Sequence, residues 1–126
     1  MKRLTDGFDI KVLIVDDDQS ILSALSRVLK RWGAKVECVD NAAAAAARVE
    51  DERYDVILLD LRMPGKDGVW FVGNAELPDE TKVVLMTAYI PDDILTNLFE
   101  AGVDEYLEKP FSCSDLTHLL DRYAAA

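Results

Sequence analysis

Five polar side chains stand where strand-like segments of the sequence end. Asp60 directly follows a run of four apolar residues, the pair Asp16 and Asp17 follows a second such run, and Thr87 follows a third. Lys109 closes a fourth, shorter segment. Open α/β sheets place their chemistry outside the carboxyl ends of their strands. The sequence therefore predicts that three acids, a hydroxyl and an amine gather at one edge of a sheet.

Three carboxylates at one edge favour a hard divalent cation. Asp16, Asp17 and Asp60 would repel one another, and their pKa values would rise unless a cation joined them. Oxygen ligands without histidine or cysteine nearby indicate Mg²⁺ or Mn²⁺ rather than zinc. Such an ion keeps several waters and takes one or two carboxylates together with a phosphate oxygen.

An aspartate beside such an ion has the chemistry of a phosphoacceptor. The carboxylate of Asp60 can act as a nucleophile and form an aspartyl phosphate. Lys109 would compensate charge on the transferred group, and Thr87 would donate its hydroxyl to a phosphoryl oxygen. Each residue alone would be interpreted as a helix cap, a strand end or a solvated charge. Their joint placement at strand ends favours the functional interpretation.

Strand-like and helical patterns alternate along the chain, which indicates parallel β-α-β units. The predicted strands cover residues 11–16, 35–39, 55–60, 82–87 and about 104–108. The third helix, at about 69–77, is the weakest because Gly73 and Asn74 are poor helix residues. Crossover handedness leaves few topologies. We predict an α/β fold class: a (βα)5 flavodoxin-like three-layer sandwich with a parallel five-stranded sheet in the order 2-1-3-4-5.

Capping residues mark where several helices begin and end. Asp18 is a candidate N-cap of the first helix and Asn41 of the second. Ser112 is placed to cap the fifth helix, where Asp115 completes a variant of the capping box. Gly33 is a natural stop for the first helix.

Composition limits the classes of protein and partner. At 126 residues the chain is predicted to be one domain, residues 1–126, with its core at about 11–123. The net charge of −10 argues against direct binding of nucleic acid and of anionic membranes. No segment has the length of a signal peptide or a membrane span, so we expect a cytoplasmic protein. Cys38 and Cys113 lack ligand spacing and are expected to be reduced thiols.

Four motifs, taken in order, resemble those of bacterial two-component response-regulator receiver domains. The resemblance covers about residues 11–123. The motifs are Val-Leu-Ile-Val-Asp-Asp-Asp at 12–18, Leu-Asp-Leu-Arg-Met-Pro-Gly-Lys-Asp-Gly at 59–68, Met-Thr-Ala at 86–88, and Tyr-Leu-Glu-Lys-Pro-Phe at 106–111.

The resemblance implies a role for each acidic residue of the edge. Asp60 would be the phosphoacceptor. Asp17 would bind Mg²⁺ directly and Asp16 largely through water, with Asp60 as a further ligand. The backbone carbonyl of Arg62 would complete the protein ligands.

The resemblance also implies a clamp and a switch. Lys109 would pair with the phosphoryl group, and the Lys109–Pro110 peptide bond would be cis. Thr87 would bond a phosphoryl oxygen and reposition on activation. Tyr106 would turn inward and couple the site to the face formed by helix 4, strand 5 and helix 5.

The implied function is a signalling switch rather than an enzyme. A sensor histidine kinase or a phosphotransfer protein would donate the phosphoryl group, and the domain would catalyse its own phosphorylation and dephosphorylation. The altered face would then meet a downstream protein or a second copy of the chain. Arg62 and Tyr89 are both large and flank the site, so we hypothesise that they restrict water and lengthen the phosphorylated state.

Two other functions stay open on the sequence alone. The segment from Asp16 to Ser20 faintly resembles a haloacid-dehalogenase-type phosphatase motif, with Asp16 as nucleophile and Asp18 as general acid. A phosphate-independent interaction module is the second alternative. No glycine-rich nucleotide-binding motif is present in the sequence.

Overall fold

A computed structural model describes residues 10–124, which form five strands and five helices in strict alternation. The strands are β1 (Lys11–Val15), β2 (Lys35–Val39), β3 (Val56–Asp60), β4 (Lys82–Thr87) and β5 (Glu105–Glu108). The helices are α1 (Gln19–Arg31), α2 (Ala42–Asp51), α3 (Gly68–Asn74), α4 (Asp92–Glu100) and α5 (Cys113–Ala124). Within this range no helix is long and apolar enough to cross a membrane.

The strands form one sheet in the order β2-β1-β3-β4-β5, and all the pairings are parallel. The predicted fold class and strand order are therefore confirmed. Helices α1 and α5 cover one face of the sheet, and α2, α3 and α4 cover the other. The three central strands are almost entirely buried, as a parallel sheet covered on both faces requires, whereas the outer strands β2 and β5 are partly exposed.

The predicted capping side chains are found at the first turns of their helices. The side chains of Asp18 and Asn41 accept backbone hydrogen bonds at the first turns of α1 and α2. At α5 the side chains of Ser112 and Asp115 each accept from the other's backbone N–H, at 2.9 and 3.1 Å, so the capping box is confirmed. Gly33 follows α1 with a φ of 102°, a conformation that favours glycine.

Helix α3 is shorter than predicted. It spans Gly68–Asn74 rather than about 69–77, because Ala75 is already extended with a ψ of 137°. Its start is fixed by the carboxylate of Asp67, which accepts the backbone N–H of Trp70 at 3.1 Å. Gly73 and the last residue of the helix are weak helix formers, so the early end agrees with their propensity.

Three strands are one residue shorter than predicted. The excluded residues of β3 and β5 are Asp55 and Asp104, which use their side chains to accept backbone N–H groups of the neighbouring strands. The excluded residue of β1 is Asp16, whose carboxylate belongs to the site described next. In each case the aspartate at the strand boundary makes a side-chain hydrogen bond in addition to a backbone hydrogen bond to the neighbouring strand.

Candidate functional site

Strand alternation brings three of the predicted residues to one face of the sheet. Side chains of successive strand residues point to opposite faces. Asp16, Asp60 and Lys109 each lie two residues beyond an apolar residue that faces the core under α1 and α5. These apolar residues are Ile14, Leu58 and Leu107. The three polar side chains therefore meet beyond the carboxyl ends of the strands.

The ammonium group of Lys109 lies between two buried carboxylates. Its Nζ is 2.9 Å from Oδ2 of Asp16 and 3.5 Å from Oδ1 of Asp60. Asp16 is fully buried, and Asp60 is 6% exposed. Oδ1 of Asp16 also accepts the backbone N–H of Asp18 at 2.9 Å. Both oxygens of Asp16 are thus occupied, which leaves Asp60 as the better placed of the two to react.

The electrostatics of the site raise the pKa of both its acid and its base, which disfavours the charge of Asp60 and favours that of Lys109. Burial, and then the charge of Asp16, raise the pKa of Asp60 from 3.8 to about 6, against the charge of Lys109 and the backbone N–H of Arg62. Burial works to lower the pKa of Lys109, but the hydrogen bond to Asp16 and the charges of both carboxylates outweigh it and raise that pKa. At neutral pH Asp60 is therefore ionised in surroundings that disfavour its charge.

A divalent cation fits the acidic side of the site. One carboxylate oxygen from each of Asp16, Asp17 and Asp60 lies within 4.8 Å of the others. Asp17 is exposed, so water can complete the coordination of an ion. Across residues 10–124 this is the one group of three ligand side chains close enough to share a metal. Its all-oxygen donors suit Mg²⁺ or Mn²⁺. Arg62 follows Asp60 by two residues, with its side chain exposed.

Thr87 ends β4 beside Asp60 without bonding to it. Asp60 pairs with Met86 across the sheet, so Thr87 lies one residue further along. The carbonyl of Thr87 accepts the backbone N–H of Lys109 at 2.8 Å, and the residue is 1% exposed. In the described part of the chain, no hydrogen bond joins the Thr87 hydroxyl to the Asp60 carboxylate.

The Lys109–Pro110 peptide bond is cis, as the resemblance implied. Tyr106 pairs with Leu85 and lies partly buried against the core beneath α4. Burial, and then the charge of Glu108, raise the pKa of the Tyr106 hydroxyl. Tyr106 therefore occupies the boundary between the core and the α4 surface.

Gly68 is a positioning residue that the sequence reasoning did not single out. A Cβ added there would lie 2.8 Å from the backbone oxygen of Asp60 and 2.8 Å from Cα of Leu61. The N–H of Gly68 also donates to the carbonyl of Leu61 at 3.0 Å. The beginning of α3 thus rests directly on the end of β3. The signal in the sequence was the pair Asp67–Gly68, a helix cap followed by a residue without a side chain.

An apolar groove of about 510 Å³ opens beside the polar site, between α1 and the segment after β5. Its lining residues are Ile21, Ala24, Leu25, Ala88, Lys109, Pro110, Phe111 and Cys113. Because Lys109 belongs to both, the groove is continuous with the edge that holds Asp60.

Comparison with known proteins places this geometry in a family. Residues 12–121 match the family model of the response regulator receiver domain. The sporulation initiation phosphotransferase F of Bacillus subtilis is 32% identical over 114 residues, which cover 90% of this chain and 92% of that protein. The transcriptional regulatory protein ResD of the same organism is 36% identical over 104 residues, which cover 82% of this chain and 43% of ResD. The chain spans 19%, 43% and 24% of the length of three of its curated relatives.

Solved structures agree with the family. The chemotaxis protein CheY4 of Vibrio cholerae has a TM-score of 0.84 and 30% identity, covering 91% of this chain and 98% of that chain. A CheY-like receiver domain protein from Methanospirillum hungatei has a TM-score of 0.87 and 28% identity, covering 93% and 94%. Neither the phosphatase nor the phosphate-independent module gains support from these similarities. The chain therefore belongs to the response regulator receiver domains, which are phosphoacceptor switches of two-component signalling.

Proposed function

We propose that Asp60 accepts a phosphoryl group from a phosphohistidine of a sensor histidine kinase or a phosphotransfer protein. A carboxylate oxygen of Asp60 attacks the phosphorus, a P–O bond forms, and the P–N bond to the histidine breaks. The observation that carries this proposal is the ammonium of Lys109, 3.5 Å from Asp60, at an edge where Asp16 is already fully bonded.

The neighbouring residues compensate the negative charge on different oxygens of the transferred phosphoryl group. Lys109 neutralises one oxygen of the transferred group, and the hydroxyl of Thr87 moves to donate to another. Asp17, Asp60 and the backbone carbonyl of Arg62 would hold Mg²⁺ or Mn²⁺ directly, and Asp16 largely through water. The ion would supply further charge compensation for the transferred group.

The movement of Thr87 is proposed to reach the surface through Tyr106. Space vacated near Thr87 lets Tyr106 turn inward from its half-buried position and shifts a pre-existing equilibrium of the α4–β5–α5 face. Ile94 and Phe99 on α4 are 40% and 41% exposed and supply apolar contact for a downstream protein or a second copy. The net charge of −10 makes direct binding of nucleic acid by this domain unfavourable.

We also propose that the apolar groove beside Lys109 receives the phosphodonor protein. A partner seated there would place its phosphohistidine over the adjoining polar edge. Ala24 is an exposed groove residue, so Ala24→Asp should slow transfer from a phosphorylated kinase and leave the uptake of phosphoryl from acetyl phosphate unchanged. Equal slowing with both donors would contradict docking in the groove.

Three further properties belong to the same proposal. Residues 11–123 act as one receiver unit within residues 1–126. The domain hydrolyses its own aspartyl phosphate, and so resets the switch. It works in the cytoplasm, with which the free thiols of Cys38 and Cys113 agree.

The direct test is uptake of phosphate from acetyl phosphate with Mg²⁺. The unmodified protein should gain one phosphoryl group by intact-mass measurement, and Asp60→Asn should gain none. Asp79→Asn removes an exposed acid far from the site and is the matched control, which should be phosphorylated normally. Phosphorylation of Asp60→Asn at the unmodified rate would refute the assignment of the acceptor.

A further inference from the structure

A groove that the proposed function does not use lies between helix α2 and the segment that connects α3 to β4. Helix α3 ends at Asn74, and the connecting segment, residues 75–78, begins with an extended Ala75. The groove has a volume of about 700 Å³, with residues 46–50 of α2 on one wall and residues 74–78 on the other. Both walls lead into the amino ends of β3 and β4, whereas Asp60 stands at the carboxyl end of β3.

The floor of the groove is a strip of apolar side chains that are only half-buried. Ala46 and Val49 lie one helical turn apart on the same side of α2. Ala75 and Leu77 lie two residues apart on the connecting segment, a spacing that puts side chains on the same side of an extended chain. All four pack against the core under α2, α3 and α4, and each keeps part of its surface exposed. The strip can therefore bury apolar side chains of another chain.

The connecting segment also offers backbone donors. The N–H of Ala75 makes the last bond of α3, to the carbonyl of Phe71 at 2.8 Å. Within residues 10–124, the N–H groups of Glu76 and Leu77 that follow have no hydrogen-bond partner. An extended segment with free donors can pair with a second extended chain through main-chain hydrogen bonds. The groove therefore suits an extended occupant.

The charge of the rim decides which extended chain would fit. Glu50 and Glu76 stand on opposite walls of the groove, and both are exposed. Among the described residues, no cation forms an ion pair with either of them. Arg48 and Arg53, the cations nearest to Glu50 in the sequence, are paired with other acids. Charge complementarity therefore favours a positively charged occupant, and the net charge of −10 disfavours a second copy of this chain.

We propose that this groove binds an extended segment of a partner protein in which lysine or arginine alternates with apolar residues. The apolar side chains of the segment lie on the strip, its backbone pairs with the connecting segment, and its cations reach the carboxylates of Glu50 and Glu76. The inference goes beyond the proposed function and does not rest on it. A partner bound beyond the amino ends of β3 and β4 leaves Asp60 accessible to a phosphodonor.

Three short peptides, acetylated and amidated, test the groove on the unphosphorylated protein. The probe is Lys-Val-Lys-Val-Lys. The peptide Lys-Gly-Lys-Gly-Lys keeps its charge and lacks its apolar side chains, and Glu-Val-Glu-Val-Glu keeps the apolar side chains and reverses the charge. Binding is followed by NMR as shifts of the backbone amides of residues 46–50 and 74–77 during titration.

Charge reversal on the protein tests the rim. Glu50→Lys and Glu76→Lys each replace one exposed acid of the groove. Asp121→Lys is the matched control, because Asp121 is an exposed acid of α5, which covers the other face of the sheet. We expect the dissociation constant of Lys-Val-Lys-Val-Lys to rise about three- to tenfold in each rim variant and to stay unchanged in Asp121→Lys. The two control peptides should bind at least about tenfold more weakly than the probe.

Two results would overturn the inference. Equal binding of the valine and glycine peptides would mean that surface charge alone attracts them and that the groove contributes nothing. Shifts of the same amides with protein concentration, in the absence of peptide, would assign the groove to a second copy of the chain. Neither result bears on phosphorylation, and a protein that takes up no phosphoryl group would contradict the proposed function alone.

Discussion

Charged residues lie at both the amino ends and the carboxyl ends of the parallel strands, here called the amino edge and the carboxyl edge of the sheet. Their roles at the two edges differ. Near the amino edge, Lys11 pairs with Glu52 at 2.5 Å and with Glu37 at 3.6 Å, and Arg48 pairs with Glu37. Two cations there face two acids, and Tyr54 joins both acids through its hydroxyl. The network is balanced in charge and complete in hydrogen bonds.

The carboxyl edge is unbalanced by comparison. Asp16 and Asp60 share the ammonium of Lys109, and Asp17 adds a third carboxylate beside them. The pKa shifts follow this difference: hydrogen bonding to Lys11 lowers the pKa of Glu52, whereas burial raises that of Asp60 to about 6. The number of charged residues is thus a poor guide to function. The excess of one sign and its burial distinguish a site that takes a cation and a phosphoryl group from a structural network.

The largest effect should come from removing the single cation of the carboxyl edge. Lys109→Met is expected to slow phosphorylation by acetyl phosphate about 100-fold, because the charge that compensates the transferred group is lost. Lys11→Met removes the lysine of the balanced edge and should leave the rate unchanged. Stopped-flow fluorescence or intact-mass kinetics measures both. A Lys109→Met protein that reacts at the unmodified rate would place the clamp elsewhere.

The next largest effect concerns how α3 rests on the carboxyl edge. Gly68→Ala forces a Cβ to within 2.8 Å of backbone atoms of Asp60 and Leu61, which cannot move aside as a side chain can. We expect a loss of about 1–3 kcal/mol in the free energy of unfolding, measured with urea. Gly73→Ala in the same helix meets no atom within 4 Å and should be neutral or stabilising. Equal losses in the two variants would contradict the close approach.

The fold followed from the sequence because its signals are local. Runs of apolar residues, capping side chains such as Asp18 and Ser112, and the stop at Gly33 all act within a few residues of themselves. The end of α3 was less certain because Gly73 and its neighbours are weak helix formers that leave the boundary to tertiary contacts. The sheet order needed only the handedness of crossovers and the resemblance.

The candidate site could be predicted from the sequence only in part. Alternation along the strands and the rule of carboxyl ends brought Asp16, Asp60 and Lys109 together correctly. The hydrogen bond from the side chain of Arg62 to the backbone carbonyl of Tyr89 depends on the conformations of two loops, which strand periodicity does not encode. The contact of Gly68 with the end of β3 likewise depends on where a whole helix packs. Residue types could therefore be predicted for the edge, but not the bonds between its loops.

A further effect on stability, similar in size to that of Gly68→Ala and opposite in sign, tests the charge excess itself. The folded pKa of Asp60 is raised, so its stabilising contribution is fully present below about pH 4 and is lost as the pH rises through about 6. In EDTA above pH 7, Asp60→Asn should therefore be more stable than the unmodified protein by about 1–3 kcal/mol. The difference should shrink as the pH falls below 6. Thermal unfolding across pH 4–8 measures it, and a variant less stable at every pH would contradict the argument.

The smallest effect should come from the matching carboxylate of the balanced edge. The pKa of Glu52 is lowered, first by its hydrogen bond to Lys11, so its contribution is present at neutral pH and is lost as the pH falls through the lowered pKa. Glu52→Gln should thus destabilise slightly at pH 7, with a sign opposite to that of Asp60→Asn. Because Glu52 is well exposed, 0.5 M salt should remove most of this loss. The contrary result would be a Glu52→Gln protein that is more stable than the unmodified protein, as Asp60→Asn is expected to be. The two edges would then not differ in charge balance. An excess of negative charge could in that case not be what distinguishes the functional edge.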